Sequence, residues 1–352
     1  MKTNEIPKEA EYNFTIYDSY AKAKSVLEQH ESAYCSVSGG KDSDCMMDII
    51  WRLDADRKVK YAWFNTGIEY EATKRHLDEL EAKYGVKIER VKPVKSVPQC
   101  VKEYGVPFVS KHVSEQMERG QKKNFTWEDK NYEALVEEHG GYVTFAKWWC
   151  NRHYSDYQRE HNYTMKWRCS MFDIERNKGL KEFLIASPPD FKISNKCCHY
   201  AKKLTAKNFE RTNGCTLAII GVRKAEGGVR VGAYKNCYTA GEHAQYRPLF
   251  WYKNKDVNEY SKIFNIRHSN CYEVYGLERT GCVGCPYNPK ILEELETVIK
   301  VYEPKLYKVC NFVFGKAYEY TRKYRQFQAD HFPSMRRKKK PEQQVLFEEE
   351  VK

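Results

Sequence analysis

A glycine-rich loop between two apolar segments constrains the fold of this chain more than any other feature. The apolar run from Ala33 to Ser38 predicts a buried strand, and it leads directly into Ser38-Gly39-Gly40-Lys41-Asp42-Ser43. After the loop, apolar residues from Met46 to Leu53 recur at helical spacing. A strand, a tight loop and a helix in this order are typical of an anion site, because the first amides of a helix are unpaired and lie at the positive end of its dipole.

Each residue type in the loop suits a phosphate ligand. Gly39 and Gly40 allow the backbone to approach closely, and the Ser38, Ser43 and Lys41 side chains can donate to phosphate oxygens. The Asp42 carboxylate suits a magnesium ion. We therefore predict that residues 38–43 bind a phosphate group. The glycine spacing before the lysine is too short for a Walker loop.

Further strand and helix patterns alternate along the chain. Strands are predicted over 33–38, 59–64, 86–91 and 217–222, and helices over 14–31 and 69–84, with a late amphipathic helix from Ile291. This alternation predicts an α/β fold, with a parallel twisted sheet that carries helices on both faces.

The chain is predicted to have four parts. Residues 1–104 form the first part of the nucleotide-binding domain, and the polar segment 105–190 forms a mainly helical insertion. Residues 191–290 complete the domain and contain closely spaced cysteines, and 291–352 form a C-terminal helix and charged tail, with Arg336 to Lys340 and Glu348 to Glu350 as charge runs.

Composition limits the compartment and the kinds of partner that we expect for this protein. No apolar run is long enough to span a bilayer and the first residues lack a signal-peptide pattern, so a cytoplasmic protein without membrane partners is expected. The net charge of +12 suits an anionic partner, either the phosphates of a nucleotide or a nucleic acid.

Four of the 13 cysteines are spaced like metal ligands. Cys197 and Cys198 are adjacent, and Cys282 and Cys285 form a C-x-x-C pair. In a reducing compartment such cysteines bind metal more often than they form disulfides. Zinc sites usually take two spaced pairs, so the adjacent pair favours a [4Fe–4S] cluster over zinc.

The loop resembles the PP-loop of the ATP pyrophosphatase superfamily. This resemblance implies that residues 38–43 bind an adenine nucleotide and that Lys41 and Asp42 are catalytic. The segment 63–67, followed by Glu71 and Thr73, is similar to the second motif of the sulfonucleotide reductases, and we therefore assign Thr66 and Gly67 to the nucleotide. Asn65 stands where that family has aspartate.

The cysteine arrangement resembles that of the phosphoadenosine phosphosulfate (PAPS) and adenylyl-sulfate reductases. Between the two pairs, Gly221 to Glu226 followed by Arg230 is similar to their Gly-x-Arg-x-x-Glu-Ser…Arg motif, although Gly227 replaces the serine. Arg223 and Arg230 are therefore candidate catalytic residues, because guanidinium groups pair bidentately with oxyanions. Lys202 and Lys203 follow the first pair and could act electrostatically beside a cluster.

The resemblance to the reductases is incomplete. Their C-terminal Glu-Cys-Gly-x-His nucleophile is missing here, and Cys310, Cys150 and Cys169 are the remaining candidate thiols. The full loop sequence is more typical of ATP-using sulfur-transfer enzymes than of reductases.

Three functions follow. The first is ATP-dependent adenylation of an acceptor, for sulfur transfer or for modification of a nucleic acid (tRNA or DNA), with Mg²⁺ and a sulfur-donor protein as partners. The second is thiol-dependent reduction of adenylyl sulfate or PAPS to sulfite. The third is a nucleotide-sensing or nucleic-acid-binding subunit without turnover.

Overall fold

A computed structural model describes residues 5–56, 58–138, 140, 143–151, 172–227 and 233–333. The chain divides into two compact units. The first comprises Met1–Glu115 and Lys192–Ala317, and the second comprises Gln116–Phe191 and Tyr318–Lys352. Among the described residues, no helix has the length and apolar character that crossing a membrane requires.

A six-stranded sheet with the order β3-β2-β1-β4-β6-β5 organises the first unit. Five strands are parallel, and only β5 pairs antiparallel, with β6. In chain order the strands are β1 Ala33–Ser36, β2 Val59–Phe64, β3 Ile88–Val91, β4 Leu217–Ile219, β5 Tyr238–Thr239 and β6 Ala244–Tyr246.

Strand side chains alternate between two apolar layers. In β4, Leu217 and Ile219 belong to the larger layer, whereas Ala218 belongs to the smaller one on the opposite face. The larger layer includes residues from four helices, and Phe209 of a fifth helix packs in the smaller layer. The four helices span Phe14–Glu28, Lys41–Leu53, Glu71–Tyr84 and Asn254–Ile263, and the fifth spans Leu204–Thr212. Helices therefore cover both faces of the sheet, as the sequence predicted.

The first unit contains most of the helices. Those that lie wholly within it are α1 Phe14–Glu28, α2 Lys41–Leu53, α3 Glu71–Tyr84, α4 Val97–Tyr104, α9 Lys196–Cys198, α10 Leu204–Thr212, α11 Asn254–Ile263, α12 Asn270–Glu273, α13 Ile291–Glu294 and α14 Lys300–Tyr302. Two further helices, α5 Lys111–Lys122 and α15 Pro304–His331, have residues in both units.

The second unit contains three further helices, α6 Tyr132–Glu138, α7 Val143–Trp149 and α8 Leu180–Ala186. Its core is aromatic: Phe125, Trp127, Phe145 and Trp149 are all buried, and their rings contact one another. The described part of the 105–190 segment is thus mainly helical. Although the segment is polar overall, its helices pack around buried aromatic residues.

Several predicted elements have different bounds in the structure. The first strand ends at Ser36, because the chain turns at Gly39, which has a φ of 68°. The late amphipathic pattern from Ile291 is interrupted by a π-helical segment over Leu295–Ile299. The short strands β5 and β6 were not predicted, since two and three residues carry too little periodicity.

Candidate nucleotide site and cysteine group

A cavity of about 700 Å³ lies at the carboxyl ends of β1 and β4. Ser36, the last residue of β1, and Ile220, which follows β4, both line it. Ligands of open α/β sheets bind at this edge of the strands. The polar residues that line it include Ser38, Lys41, Asp42, Ser43, Arg223, Asn254, Tyr272, Arg279 and Thr280. The structure thus brings most of the predicted loop together with Arg223.

Two glycines give the loop its shape. Gly39 adopts the left-handed region with a φ of 68°, and a Cβ there would lie 2.8 Å from Thr73 Cγ2 of α3. Gly40 precedes the first residue of α2, and a Cβ there would lie 3.1 Å from the Tyr272 hydroxyl. The loop is therefore held between α3 and Tyr272, with no room for a side chain at Gly39 and little room at Gly40.

The loop serines bond to the loop itself. The Ser38 amide donates to Ser43 Oγ at 2.7 Å, and the Gly40 amide lies 3.4 Å from Ser38 Oγ. These bonds close the turn ahead of α2, at the end of the helix that attracts anions.

Asp42 and Arg223 form an ion pair in the cavity. Arg223 Nε donates to Asp42 Oδ2 at 2.7 Å, and Nη1 donates to Asn254 Oδ1 at 3.0 Å. Burial raises the pKa of Asp42, and the Arg223 guanidinium opposes this shift. A cation and a carboxylate, the groups that contact phosphate and Mg²⁺ in nucleotide sites, thus lie side by side.

Sequence reasoning missed Tyr272 and Thr280. Lys41 Nζ lies 4.9 Å from the centre of the Tyr272 ring, and the Tyr272 and Thr280 hydroxyls are 2.7 Å apart. Burial raises the pKa of Tyr272 to about 12, so its hydroxyl stays protonated near neutral pH. No motif indicated Tyr272, whereas Thr280 stands two residues before Cys282 and could have been found by extending that motif.

Arg279 is a further cation that was not predicted. It lines the cavity, and its Nη2 donates to Glu226 Oε1 at 3.0 Å. Arg230, which was predicted to act with Arg223, lies outside the described residues, as do the charge runs of the C-terminal tail.

Thr66 and Gly67 are not among the residues that line the cavity. Thr66 is fully buried, and its hydroxyl donates to Glu69 Oε1 at 2.5 Å. Burial raises the pKa of the Cys282 thiol, and a hydrogen bond with the Thr66 side chain partly opposes this shift. The Gly67 amide donates to Asn65 Oδ1 at 2.8 Å. The structure therefore places Thr66 beside the cysteines, and a nucleotide role for both residues stays a prediction.

The second candidate site is the cysteine group, defined as Cys197, Cys198, Cys282 and Cys285. All six pairs of these thiols interact electrostatically. A hydrogen bond between the Cys197 and Cys198 thiols raises the pKa of Cys197 and lowers the pKa of Cys198 to about 6. Burial raises the pKa of Cys282, and it raises that of Cys285 to about 12.

Lysine ammonium groups surround this group. Lys111, Lys202 and Lys203 all act to lower the pKa of Cys198. The pKa of Lys202 is itself raised, chiefly by the Cys282 thiolate and then by Glu69. The predicted position of Lys202 and Lys203 beside the cysteines thus agrees with their electrostatic effect.

The described residues contain no set of three or more His, Cys, Asp and Glu side chains arranged to hold a metal ion. A single ion needs all its ligands around one centre, whereas in a [4Fe–4S] cluster each of four cysteines binds a different iron. The thiols of the cysteine group interact electrostatically, and the [4Fe–4S] cluster stays a prediction.

The other candidate thiols lie elsewhere. Cys310 is fully buried in α15. Cys150 lies in the second unit, where its sulfur donates to the Lys130 carbonyl at 3.3 Å. Cys169 lies outside the described residues. No cysteine is among the described residues that line the cavity.

Solved structures and one curated relative offer distant comparisons. A PAPS reductase of Candida auris, solved with phosphate, shares 12% identity with a TM-score of 0.39, over 79% of this chain and 96% of that chain. An NH₃-dependent NAD synthetase of Campylobacter jejuni subsp. jejuni, solved with nitrate, shares 12% identity with a TM-score of 0.31, over 86% of this chain and 93% of that chain.

An uncharacterized protein of Methanocaldococcus jannaschii is 37% identical over 93 residues, which is 26% of this chain. The match spans 18% of that relative's length, less than a fifth.

The family comparison concerns the region that contains the loop. The sequence model of the phosphoadenosine phosphosulfate reductase domain matches residues 32–139, which include β1, the loop, α2 and β2. Over residues 32–139, the chain is therefore similar to the phosphoadenosine phosphosulfate reductase domain.

Proposed function

We propose that this chain is an enzyme that binds ATP in the cavity and cleaves it to transfer AMP to an acceptor, with release of pyrophosphate. The observation that carries the proposal is the cavity of about 700 Å³ lined by residues of the glycine loop, by Lys41 and by Arg223. Its volume lies in the range of small-molecule sites.

The lining residues match the charge that develops in such a reaction. A nucleophile of the acceptor attacks the α-phosphorus, and the bond to the oxygen that bridges the α- and β-phosphates breaks. Pyrophosphate then leaves with the bonding electrons. Lys41, Arg223 and the first amides of α2 would stabilise that leaving group, because donors fixed in place need no reorganisation as charge accumulates.

Magnesium would be held by Asp42 together with phosphate oxygens. A bound Mg²⁺ supplies electrostatic stabilisation of the phosphates. Asp42 would exchange its partner Arg223 for the ion, so that Arg223 becomes free to contact phosphate.

The cysteine group would hold a [4Fe–4S] cluster. Four thiols and three nearby ammonium groups support this assignment, since the cations would offset the negative charge of the ligated cluster. A bound cluster would organise the site or handle sulfur. Thr280 in the cavity is two residues from Cys282, so this chain's own backbone links the two sites.

The acceptor and the sulfur source belong to the same proposal. A net charge of +12 favours an anionic acceptor such as tRNA or DNA, and a separate protein would donate the sulfur. The reductase alternative needs a thiol near the nucleotide, and the described lining residues include none, so we place it second.

The test is release of pyrophosphate or sulfite by anaerobically purified protein offered MgATP or adenylyl sulfate. We expect pyrophosphate from ATP and its loss in Lys41→Ala. Lys83→Ala is the matched control, because Lys83 also lies over a tyrosine ring, that of Tyr84 at 5.2 Å, but does not line the cavity.

Sulfite from adenylyl sulfate would overturn the adenylating reaction in favour of the reductase. Tight binding of ATP without either product, in the presence of candidate tRNA and DNA acceptors, would indicate the non-catalytic subunit instead.

A further inference from the structure

Behind the glycine loop, a buried carboxylate lies between two buried histidines. Asp44 is fully buried in the first turn of α2. Its Oδ2 lies 2.8 Å from His268 Nδ1 and 3.1 Å from His76 Nε2, and both rings are buried. None of the three residues lines the cavity, and no motif predicted them. A buried carboxylate is costly unless it is paired, so this arrangement calls for an explanation.

Each histidine comes from an element that also touches the loop. His76 lies on α3 one turn after Thr73, the residue whose methyl group leaves no space for a Cβ at Gly39. His268 precedes Tyr272, whose hydroxyl limits the space at Gly40 and whose ring lies under the Lys41 ammonium. Asp44 itself lies three residues after Lys41. One carboxylate thus joins the three elements that enclose the loop.

The connection to Tyr272 is also direct. The His268 and Tyr272 rings are 6.2 Å apart in an edge-to-face arrangement. His268 Nε2 lies 3.0 Å from the Ser261 hydroxyl of α11, which fixes the other side of the imidazole. Rotation of His268 would therefore break two polar contacts and disturb the packing of Tyr272.

We propose that Asp44, His76 and His268 are positioning residues that hold the glycine loop and Tyr272 in the conformation that binds nucleotide phosphates. This inference rests on the proposed function, and it adds residues outside the cavity that set the affinity of the cavity. The Asp44 carboxylate clamps α3 and the 268–272 segment against α2, so that Thr73 and Tyr272 close on the loop from two sides.

A second buried carboxylate on the same helix provides a matched control. Asp48 lies one turn after Asp44 and is equally buried. It accepts from Tyr260 at 2.6 Å, Arg52 at 2.7 Å and Tyr84 at 3.0 Å. None of these partners lines the cavity. Loss of either carboxylate disturbs the core. Asp48 reaches α3 only at its last residue, Tyr84, whereas Asp44 contacts His76, one turn after Thr73, and His268, on the segment that carries Tyr272.

The experiment measures the dissociation constant for MgATP, and for inorganic pyrophosphate as a second probe, in Asp44→Asn and Asp48→Asn. Binding is measured on the full chain, at a temperature where circular dichroism shows both variants folded. We expect Asp44→Asn to weaken binding about tenfold, a typical coupling between separate sites, and Asp48→Asn to change it less than about twofold. Equal dissociation constants in the two variants would overturn the inference.

His268→Gln covers the case in which Asp44→Asn does not fold. The glutamine amide in His268→Gln retains a donor for Asp44 but lacks the imidazole ring. We therefore expect this variant to bind MgATP more weakly than the wild type and more tightly than His268→Ala. Identical, wild-type affinity in both His268 variants would also overturn the inference. If the wild-type chain binds neither probe, the proposed function itself fails, which is a different result from wild-type binding that is insensitive to Asp44.

Discussion

Arg223 donates from Nε to Oδ2 of Asp42 at 2.7 Å, so the segment after β4 is tied to the first turn of the helix that follows β1. The pair joins the two central strands of the sheet at the edge where the cavity opens. Burial raises the pKa of Asp42, and the Arg223 guanidinium opposes this shift.

Arg223→Gln is expected to weaken MgATP binding by about tenfold or more, because a charged hydrogen bond to phosphate contributes roughly 1.5–3 kcal/mol. Isothermal titration calorimetry would measure the change. Arg211→Gln, on the exposed end of α10, is the control and should bind as the wild type does. Equal affinity in the two variants would remove Arg223 from the phosphate site.

Gly39→Ala should both destabilise the chain and impair phosphate binding. The left-handed φ alone costs a residue with a Cβ about 1–2 kcal/mol, and the contact with Thr73 adds to that cost. Gly214→Ala separates the cost of the left-handed φ from the cost of the steric contact. Gly214 has a φ of 60°, but nothing lies within 4 Å of the added Cβ. Chemical denaturation should show that Gly39→Ala is less stable than Gly214→Ala. The reverse order would show that the loop shifts at little cost to accommodate the added Cβ.

Cys282→Ala should abolish iron binding, whereas Cys310→Ala should retain it. Cys282 interacts with the other three members of the cysteine group, and Cys310 is buried in α15 outside it. Iron and acid-labile sulfide per chain, assayed after anaerobic reconstitution, would report the outcome. If Cys282→Ala bound as much iron as the wild type, the cluster assignment would be refuted. If the wild-type chain bound zinc and no iron, the site would be a zinc site instead.

Glu81→Gln should lower stability at neutral pH and have little effect in acid. Partial burial tends to raise the pKa of Glu81, but the Arg90 guanidinium and the Ile88 amide outweigh it, so the pKa lies below the usual 4.5. A lowered carboxyl pKa stabilises the fold above the unfolded pKa, and that contribution is lost as pH falls through the folded pKa. Denaturant midpoints from pH 7 to pH 3 should therefore converge for the two proteins, and a constant difference would contradict this account.

Residues close together in the sequence determined the main strands and helices of this protein and the loop between the first strand and α2. An apolar strand, a glycine turn and a helix with apolar spacing follow from neighbouring residues, and so does the C-x-x-C pair. Strand and helix periodicity also predicted the parallel sheet, because a buried strand and an amphipathic helix leave few ways to cover both faces.

Tertiary structure decided which side chains meet. Asp44 and His268 are 224 residues apart, and the partners Asp42 and Arg223 are 181 apart, so no local pattern links them. Tyr272 reaches the loop because its helix, α12, packs against α3 in the folded chain. Thr66 was assigned to the nucleotide from its motif, yet its contacts are with Glu69 and the cysteine group. Periodicity records which face of an element is buried, whereas the neighbours on that face depend on how the whole chain packs.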